Sequence, residues 1–253
     1  MELRVPVGGG QLWAEHVAGP GVPIVLLHPG VGDSRVWDPV LPRLVERHRV
    51  VRYDVRGYGR SAPPTSEFSL VEDLVSVLDQ LELEQVVLVG CSMGADTALS
   101  LALNDPARVR ALALLCPGVS GFPLPDEPEL DAEYDALAEA RDIPGLARLG
   151  LRLWAAAGAD EAAVAQLEAA VPAWLDQADY LRKDPPVYDR LHEIQAPSVV
   201  MVGDKDRPIL AAVAGATAAR IRTCEFIWLP GADHLPSLRC PDQVAETILR
   251  IAL

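Results

Sequence analysis

Val86-Val87-Leu88-Val89-Gly90-Cys91-Ser92-Met93-Gly94 is the stretch that decides the fold. Four apolar residues without polar alternation read as a strand buried on both faces, as in a parallel sheet covered by helices. From Gly94 to Asn104 the pattern is Ala- and Leu-rich and helical. Between them lies G-x-S-x-G, a serine on a tight strand-to-helix turn. Such a serine is held in a strained backbone conformation, so both flanks need glycine to avoid clashes with neighbouring elements. The turn presents the hydroxyl to the crevice beyond the strand ends. A glycine-lined turn whose serine only caps the helix is the plainer alternative.

Outward from this turn, the runs Val22–Leu27, Val50–Tyr53, Ala111–Leu115, Ser198–Val202 and Glu225–Leu229 read as further buried strands. Leu3–Val7 and Leu12–Val17 read as an antiparallel edge. Helical patterns fill Trp37–Arg47, Leu70–Leu81, Leu210–Ile221 and Asp242–Ile251. Ser69 with Glu72 fits a capping box, and Asp38 before Pro39 is a comparable start signal. Strands alternating with helices imply an α/β fold, a mostly parallel central sheet flanked by helices.

From Val119 to Ile194 the alternation stops. The segment is Ala- and Leu-rich, with breaks expected at Pro144, Gly158, Pro172 and the Pro185-Pro186 pair. The expected organisation is a core of residues 1–118 and 195–253 with a helical cap of residues 119–194 over the strand ends.

Half of the 253 residues are hydrophobic and 23% are charged, the composition of a globular chain able to bury a substantial core. A net charge of −14 repels phosphate backbones and anionic headgroups, so nucleic acid is not an expected partner. No apolar run reaches membrane-spanning length, and Met1–Val7 lacks the pattern of a signal peptide, which suggests a cytoplasmic protein. The four cysteines are scattered, with no C-x-x-C pair to suggest zinc or a disulfide framework. The expected partner is a small-molecule substrate. Neither a metal nor an organic cofactor is implied, and oligomeric state is not legible.

A serine hydroxyl needs a base within hydrogen-bond reach, and the base needs an acid to fix its tautomer. Of five histidines, His16, His28 and His48 lie on or beside early strands and His192 ends the inserted segment. His234 follows the strand Glu225–Leu229, just before the last helix, at a carboxyl strand end where α/β sheets place their sites. Asp204 and Asp206 both follow Ser198–Val202. Asp206, further into the loop, is the candidate acid, and Asp204 is suited to capping the turn. The order Ser92, Asp206, His234 matches that of nucleophile-elbow enzymes. After Val22–Leu27 comes His28-Pro29-Gly30-Val31-Gly32, a loop suited to supply backbone N–H groups to a developing oxyanion. Gly30 and Met93 are the candidate donors. Val31 is an alternative to Gly30, and Pro29 has no N–H. Of Trp154 and Trp174 in the inserted segment, Trp154 is the candidate substrate contact.

These residues together resemble the α/β-hydrolase superfamily over essentially the whole chain. Asp54 to Ser61 resemble its D-x-R-G-x-G-x-S turn, which is mainly structural. His28-Pro29-Gly30 resembles its His-Gly loop with Pro29 in place of glycine, and the family's donor position then falls on Gly30. Gly203 to Asp206 resemble the G-x-x-D acid segment, and Gly231 to His234 the G-x-G-H base segment with Asp233 in place of its second glycine. Ser92 departs from the dehalogenase and epoxide-hydrolase branches, which carry Asp there, and Met93 from proline iminopeptidase relatives, which often carry Trp. The Ser-Met-Gly elbow with a short helical cap looks closest to the enol-lactonase and carboxylesterase branch. The resemblance implies a serine hydrolase that cleaves an ester, lactone or thioester through an acyl-enzyme. Alternatives are acyl transfer from the same intermediate and a hydrolase-fold ligand-binding protein with little turnover.

Overall fold

In the computed structural model, which describes all 253 residues, the apolar runs pair into one eight-stranded sheet. The strands are β1 (Glu2–Val7), β2 (Gly10–Val17), β3 (Gly21–Leu27), β4 (His48–Tyr53), β5 (Val86–Cys91), β6 (Val109–Leu115), β7 (Ser198–Gly203) and β8 (Cys224–Leu229). Their order is β1-β2-β4-β3-β5-β6-β7-β8. β2 runs antiparallel to β1 and β4, and the pairs from β4 through β8 are parallel.

The unbroken apolar runs have a simple cause. Successive side chains of a strand point to opposite faces, and here both faces are covered. Val25, Leu27, Leu88, Leu112, Leu114 and Val200 join one buried cluster of 36 residues, while Ile24, Leu26, Val87, Val89, Ala113 and Met201 join another of 26. Edge strand β8 departs from the expected full burial. Trp228 is 51% exposed, because β8 has a neighbour only in β7.

The helices are α1 (Leu41–Val45), α2 (Leu70–Gln80), α3 (Met93–Asn104), α4 (Pro128–Glu139), α5 (Ile143–Trp154), α6 (Glu161–Asp176), α7 (Pro208–Arg220), α8 (Pro236–Arg239) and α9 (Pro241–Ile251). α2, α3 and α7 pack on the larger cluster, and α1 and α9 on the smaller. Helix α2 starts as expected, with the Ser69 hydroxyl accepting the Glu72 N–H at 3.2 Å. The reciprocal half of the box is not made, since the Glu72 carboxylate pairs with Arg182.

Two helix readings need correction. Trp37–Arg47 is not one helix but a 3₁₀ turn, Ser34–Trp37, followed by the single short turn of α1. The starting cap is Asp33, which accepts the Arg35 N–H, and the turn ends at Asp38 because Pro39 has no N–H to carry the ladder on. Pro172 does not break the inserted segment, because α6 runs through it from Glu161 to Asp176. Pro144 does lie where a helix begins, in the first turn of α5 behind the Asp142 cap.

Helices α4, α5 and α6 all lie between β6 and β7. α6 contributes Ala163 and Leu167 to one core cluster and Ala170 and Ala173 to the other, whereas α4 buries no residue fully. No helix is long and apolar enough to cross a membrane. A bidentate pair braces the loop after β4: Arg56 Nε and Nη2 each donate to Asp73 at 2.7 Å, and both side chains are 5% exposed.

A methyl group on Gly94 would stand 2.3 Å from the Leu27 carbonyl oxygen at the end of β3, so Gly94→Ala is expected to destabilise by about 1–3 kcal/mol, the range for overpacking. A lowered urea midpoint with an unchanged slope would show it. Asp73→Leu leaves the Arg56 charge buried and unpaired and is expected to cost about 3–5 kcal/mol; adding Arg56→Leu should recover much of that loss in the same measurement.

Candidate active site

Ser92 stands between the last residue of β5 and the first of α3, at φ 50° and ψ −112°. A side chain at positive φ is strained, and the surroundings hold it there. The Ser92 N–H donates to the Leu115 carbonyl at 3.0 Å, and its own carbonyl accepts from Ala95 and Gly118. Both flanking glycines are required by close approach. A Cβ on Gly90 would meet the Gly94 carbonyl oxygen at 2.3 Å, and one on Gly94 would meet that of Leu27. The first turn of α3 can therefore sit directly on the end of β3, where the loop His28–Gly32 begins.

His234 and Asp206 are brought together. His234 Nδ1–H donates to Asp206 Oδ2 at 2.8 Å, with side chains 2% and 0% exposed. The carboxylate fixes the imidazole proton on Nδ1 and leaves Nε2 as the basic nitrogen. Asp204 does what the turn needed, accepting the Gly231 N–H at 2.7 Å. Cys91, just before Ser92, places its sulfur 3.7 Å from the His234 carbonyl oxygen, so the serine turn and the histidine loop are in contact. Burial pushes the Cys91 and Cys116 thiols well above their ordinary range, so neither supplies a thiolate beside the serine.

Asp233 was unassigned by sequence reasoning and proves to be a junction. It is fully buried; its carboxylate accepts the Leu235 and Ala157 N–H groups at 3.0 Å each and pairs with Arg239 at 3.1 Å. Arg239 also engages Asp160, the N-cap of α6. The histidine loop is thus bolted to the inserted helices. Arg207, next to Asp206, makes a similar link by pairing with Glu127 at the start of α4. The only early signal for either pair was an unexpected acid before His234.

Trp154 ends α5 and lies against His234, with ring centroids 4.7 Å apart and planes tilted by 39°. Its carbonyl also accepts the His234 N–H at 3.3 Å. Gly30 lies beside Met93: a Cβ at Gly30 would be 3.7 Å from Met93 Sδ. The N–H groups of Gly30 and Val31 have no protein acceptor, and that of Met93 belongs to the first helical turn, whose donors have no intrahelical partner.

A cavity of about 490 Å³ opens between core and inserted helices. Gly30, Val31 and Tyr58 line it from the core, and Leu149, Leu153 and Trp154 from α5. Trp174 of α6 lines it too, although Trp154 alone was the expected contact. Ser92 and His234 are outside this lining; the cavity meets them through Gly30 and Trp154. The lining contains no arginine, lysine or histidine, and its one charged residue is the exposed Asp131.

Among curated proteins, the chain is 32% identical over 227 residues to the 2-hydroxy-6-oxo-2,4-heptadienoate hydrolase of Pseudomonas putida, covering 81% of this chain and 80% of that protein. It is 39% identical over 126 residues to a 2-hydroxymuconate semialdehyde hydrolase of a Pseudomonas species, a match spanning 47% of this chain and 44% of the relative. Among solved structures, an N-acyl homoserine lactone degrading enzyme superposes with TM-score 0.78 at 27% identity, covering 98% of this chain and 99% of the other. The enol-lactonase of Burkholderia xenovorans superposes with TM-score 0.79 at 20% identity, covering 98% and 99%, a likeness of fold. The sequence profile described as the alpha/beta hydrolase family matches residues 24–247. With the serine elbow on β5 and the order of strands in the sheet, this match shows that the chain belongs to the alpha/beta hydrolase family.

Proposed function

We propose that the protein is a serine hydrolase of small, uncharged esters, lactones or thioesters. The observation that carries this reading is the buried His234–Asp206 hydrogen bond, set against a serine turn held at positive φ. In this reading His234 Nε2 takes the Ser92 hydroxyl proton as the oxygen attacks the carbonyl carbon. Asp206 holds the imidazole in the required tautomer and stabilises the imidazolium. The oxyanion is met by the N–H groups of Gly30 and Met93, which are fixed before reaction and act where charge develops, each worth a few kcal/mol of barrier. His234 then returns the proton to the leaving oxygen or sulfur, and water attacks the acyl-enzyme through the same groups. Helices α4–α6 act as the cap, with Trp154 both a wall of the acyl pocket and a support for His234. The imidazolium formed in each step is a cation lying against an indole face, a favourable pairing.

The lactone-degrading enzyme among the similar proteins supports cleavage of ester-type bonds. The Pseudomonas putida relative points to a second reading, hydrolysis of an oxo-dienoate. That substrate is a carboxylate by name, and a carboxylate leaving water for a cavity without a cationic side chain pays a desolvation penalty. Arg207 lies 5.5 Å from the Trp154 ring but is already engaged by Glu127. The cavity therefore favours the neutral acyl substrate.

Two measurements test the reading. Ser92→Ala is expected to abolish both turnover of short acyl esters and labelling by a fluorophosphonate, and Asp206→Asn to lower kcat on the order of 10⁴-fold while the protein stays folded. Equal turnover by Ser92→Ala would show the nucleophile to be wrong. Across a matched series, a neutral ester is expected to exceed its analogue with a terminal carboxylate at least tenfold in kcat/KM, on the order of 1.4 kcal/mol; a preference for the carboxylate would favour the oxo-dienoate reading instead.

A further inference from the structure

Glycine at position 30 would ordinarily leave the peptides on either side free to rotate. Here both are tied through their carbonyl oxygens. The Pro29 carbonyl accepts from His28 Nδ1–H at 2.8 Å and from the Gly32 N–H at 3.3 Å. The ring proton is on Nδ1 because His28 Nε2 accepts the Val55 N–H at 3.0 Å. The Gly30 carbonyl accepts from Trp174 Nε1–H at 2.6 Å and from the Tyr58 hydroxyl at 3.2 Å. Burial pushes the Tyr58 phenol above its ordinary range, so it remains a donor.

Fixing both peptide planes fixes φ and ψ of the residue between them. In a planar trans peptide the N–H points opposite to the carbonyl. The plane held by Trp174 and Tyr58 therefore directs the Val31 N–H away from those two side chains, and the plane held by His28 sets the Gly30 N–H. One of the four tethers comes from outside the core. Trp174 lies 144 residues from Gly30 in sequence, on α6, and the same helix grips the loop again where Gln166 Oε1 accepts the Asp33 N–H at 2.9 Å. The far edge of the indole is also positioned, because a Cβ on Gly150 of α5 would stand 2.9 Å from Trp174 Cη2. A residue that served only as cavity wall has no need of an N–H aimed at a backbone carbonyl of this loop.

We propose that Trp174 is a positioning residue for the oxyanion-stabilising loop: its indole N–H, delivered by α6, holds the Gly30–Val31 peptide, which together with the plane held by His28 fixes φ and ψ at Gly30 and keeps the Gly30 N–H in place before substrate arrives. This rests on Gly30 acting as an oxyanion donor. Loss of the tether leaves the donor in place but loosens it, so the effect falls below the 10²–10³-fold typical of deleting a donor.

The experiment compares the full chain with its Trp174→Phe, Tyr58→Phe and Leu153→Ala variants, using neutral acyl esters and an alkylboronic acid, which adds the serine oxygen to form a tetrahedral adduct. Trp174→Phe is expected to lower kcat about tenfold and to weaken boronate inhibition by a similar factor, with KM changed less than about twofold. Tyr58→Phe, which removes the longer tether, is expected to lower both about threefold. Leu153→Ala changes the wall alone and should raise KM and shift chain-length preference without weakening the boronate in step with kcat. A raised KM in Trp174→Phe with kcat and boronate affinity unchanged would overturn the proposal. If Trp174→Phe does not fold, Tyr58→Phe decides, and unchanged kcat and boronate affinity there overturns it. Turnover by Ser92→Ala would instead sink the underlying hydrolase reading; an inactive Ser92→Ala beside a fully active Trp174→Phe sinks this inference alone.

Discussion

The backbone at Ser92 is the constraint on which the rest depends. A non-glycine residue at φ 50° costs free energy, of order 1–3 kcal/mol, that its own contacts do not return. It persists because strand β5 and helix α3 approach more closely than side chains allow, with hydrogens at Gly90 and Gly94 where any Cβ would strike a carbonyl oxygen. The approach is possible only because β5 is central, flanked by β3 and β6 and covered on both faces. The large buried core thus supports one strained residue. The same closeness brings the α3 N-terminus onto the end of β3, and so sets Met93 beside the loop carrying Gly30.

Most of the scaffold was legible because its signals are local. An apolar run without alternation means burial on both sides, and the strands from β3 to β7 obey it. β8 is read the same way from sequence yet is half exposed; the one mark of its open side is Glu225, a charge within an otherwise apolar run, which is exposed and pairs with Arg250. The stretch after Asp33 departs from its helical apolar spacing for a related reason: Pro39 has no N–H to continue the hydrogen-bond ladder, and the turn Ser34–Trp37 ends at Asp38. At Pro172 the opposite happened, and the packing of α6 against both core clusters outweighed the lost hydrogen bond.

The candidate site divides along the same line. Ser92 announces itself through neighbours in sequence. His234 emerged from its place after a late strand, and Asp206 from its place in a loop, with Asp204 occupied at Gly231 as a capping residue. The links that bind these loops to α4–α6 could not be read, because each joins residues far apart in the chain: Asp233 with Ala157, Arg239 with Asp160, Arg207 with Glu127, and Trp174 with Gly30. No short motif encodes such a pair. The only trace is a residue out of keeping with its surroundings, such as an acid where the resemblance led one to expect glycine.

These long-range links bear on how the cavity and the candidate site come to share one geometry. The inserted helices supply none of the proposed nucleophile, acid or base, yet Trp154 lies on His234 and Trp174 holds Gly30, one indole on each half of the machinery. Both rings also wall the cavity. On the proposed reading, a substrate chain packed between them would press on the two groups that orient the base and the oxyanion loop, so contacts far from the reacting carbonyl would act on the geometry at it. In this arrangement binding energy from an unreactive chain can be expressed in the chemical step, as catalysis by differential binding requires. A wall of aliphatic residues would bury the same chain but offer neither the indole face that lies on His234 nor the indole N–H that reaches Gly30.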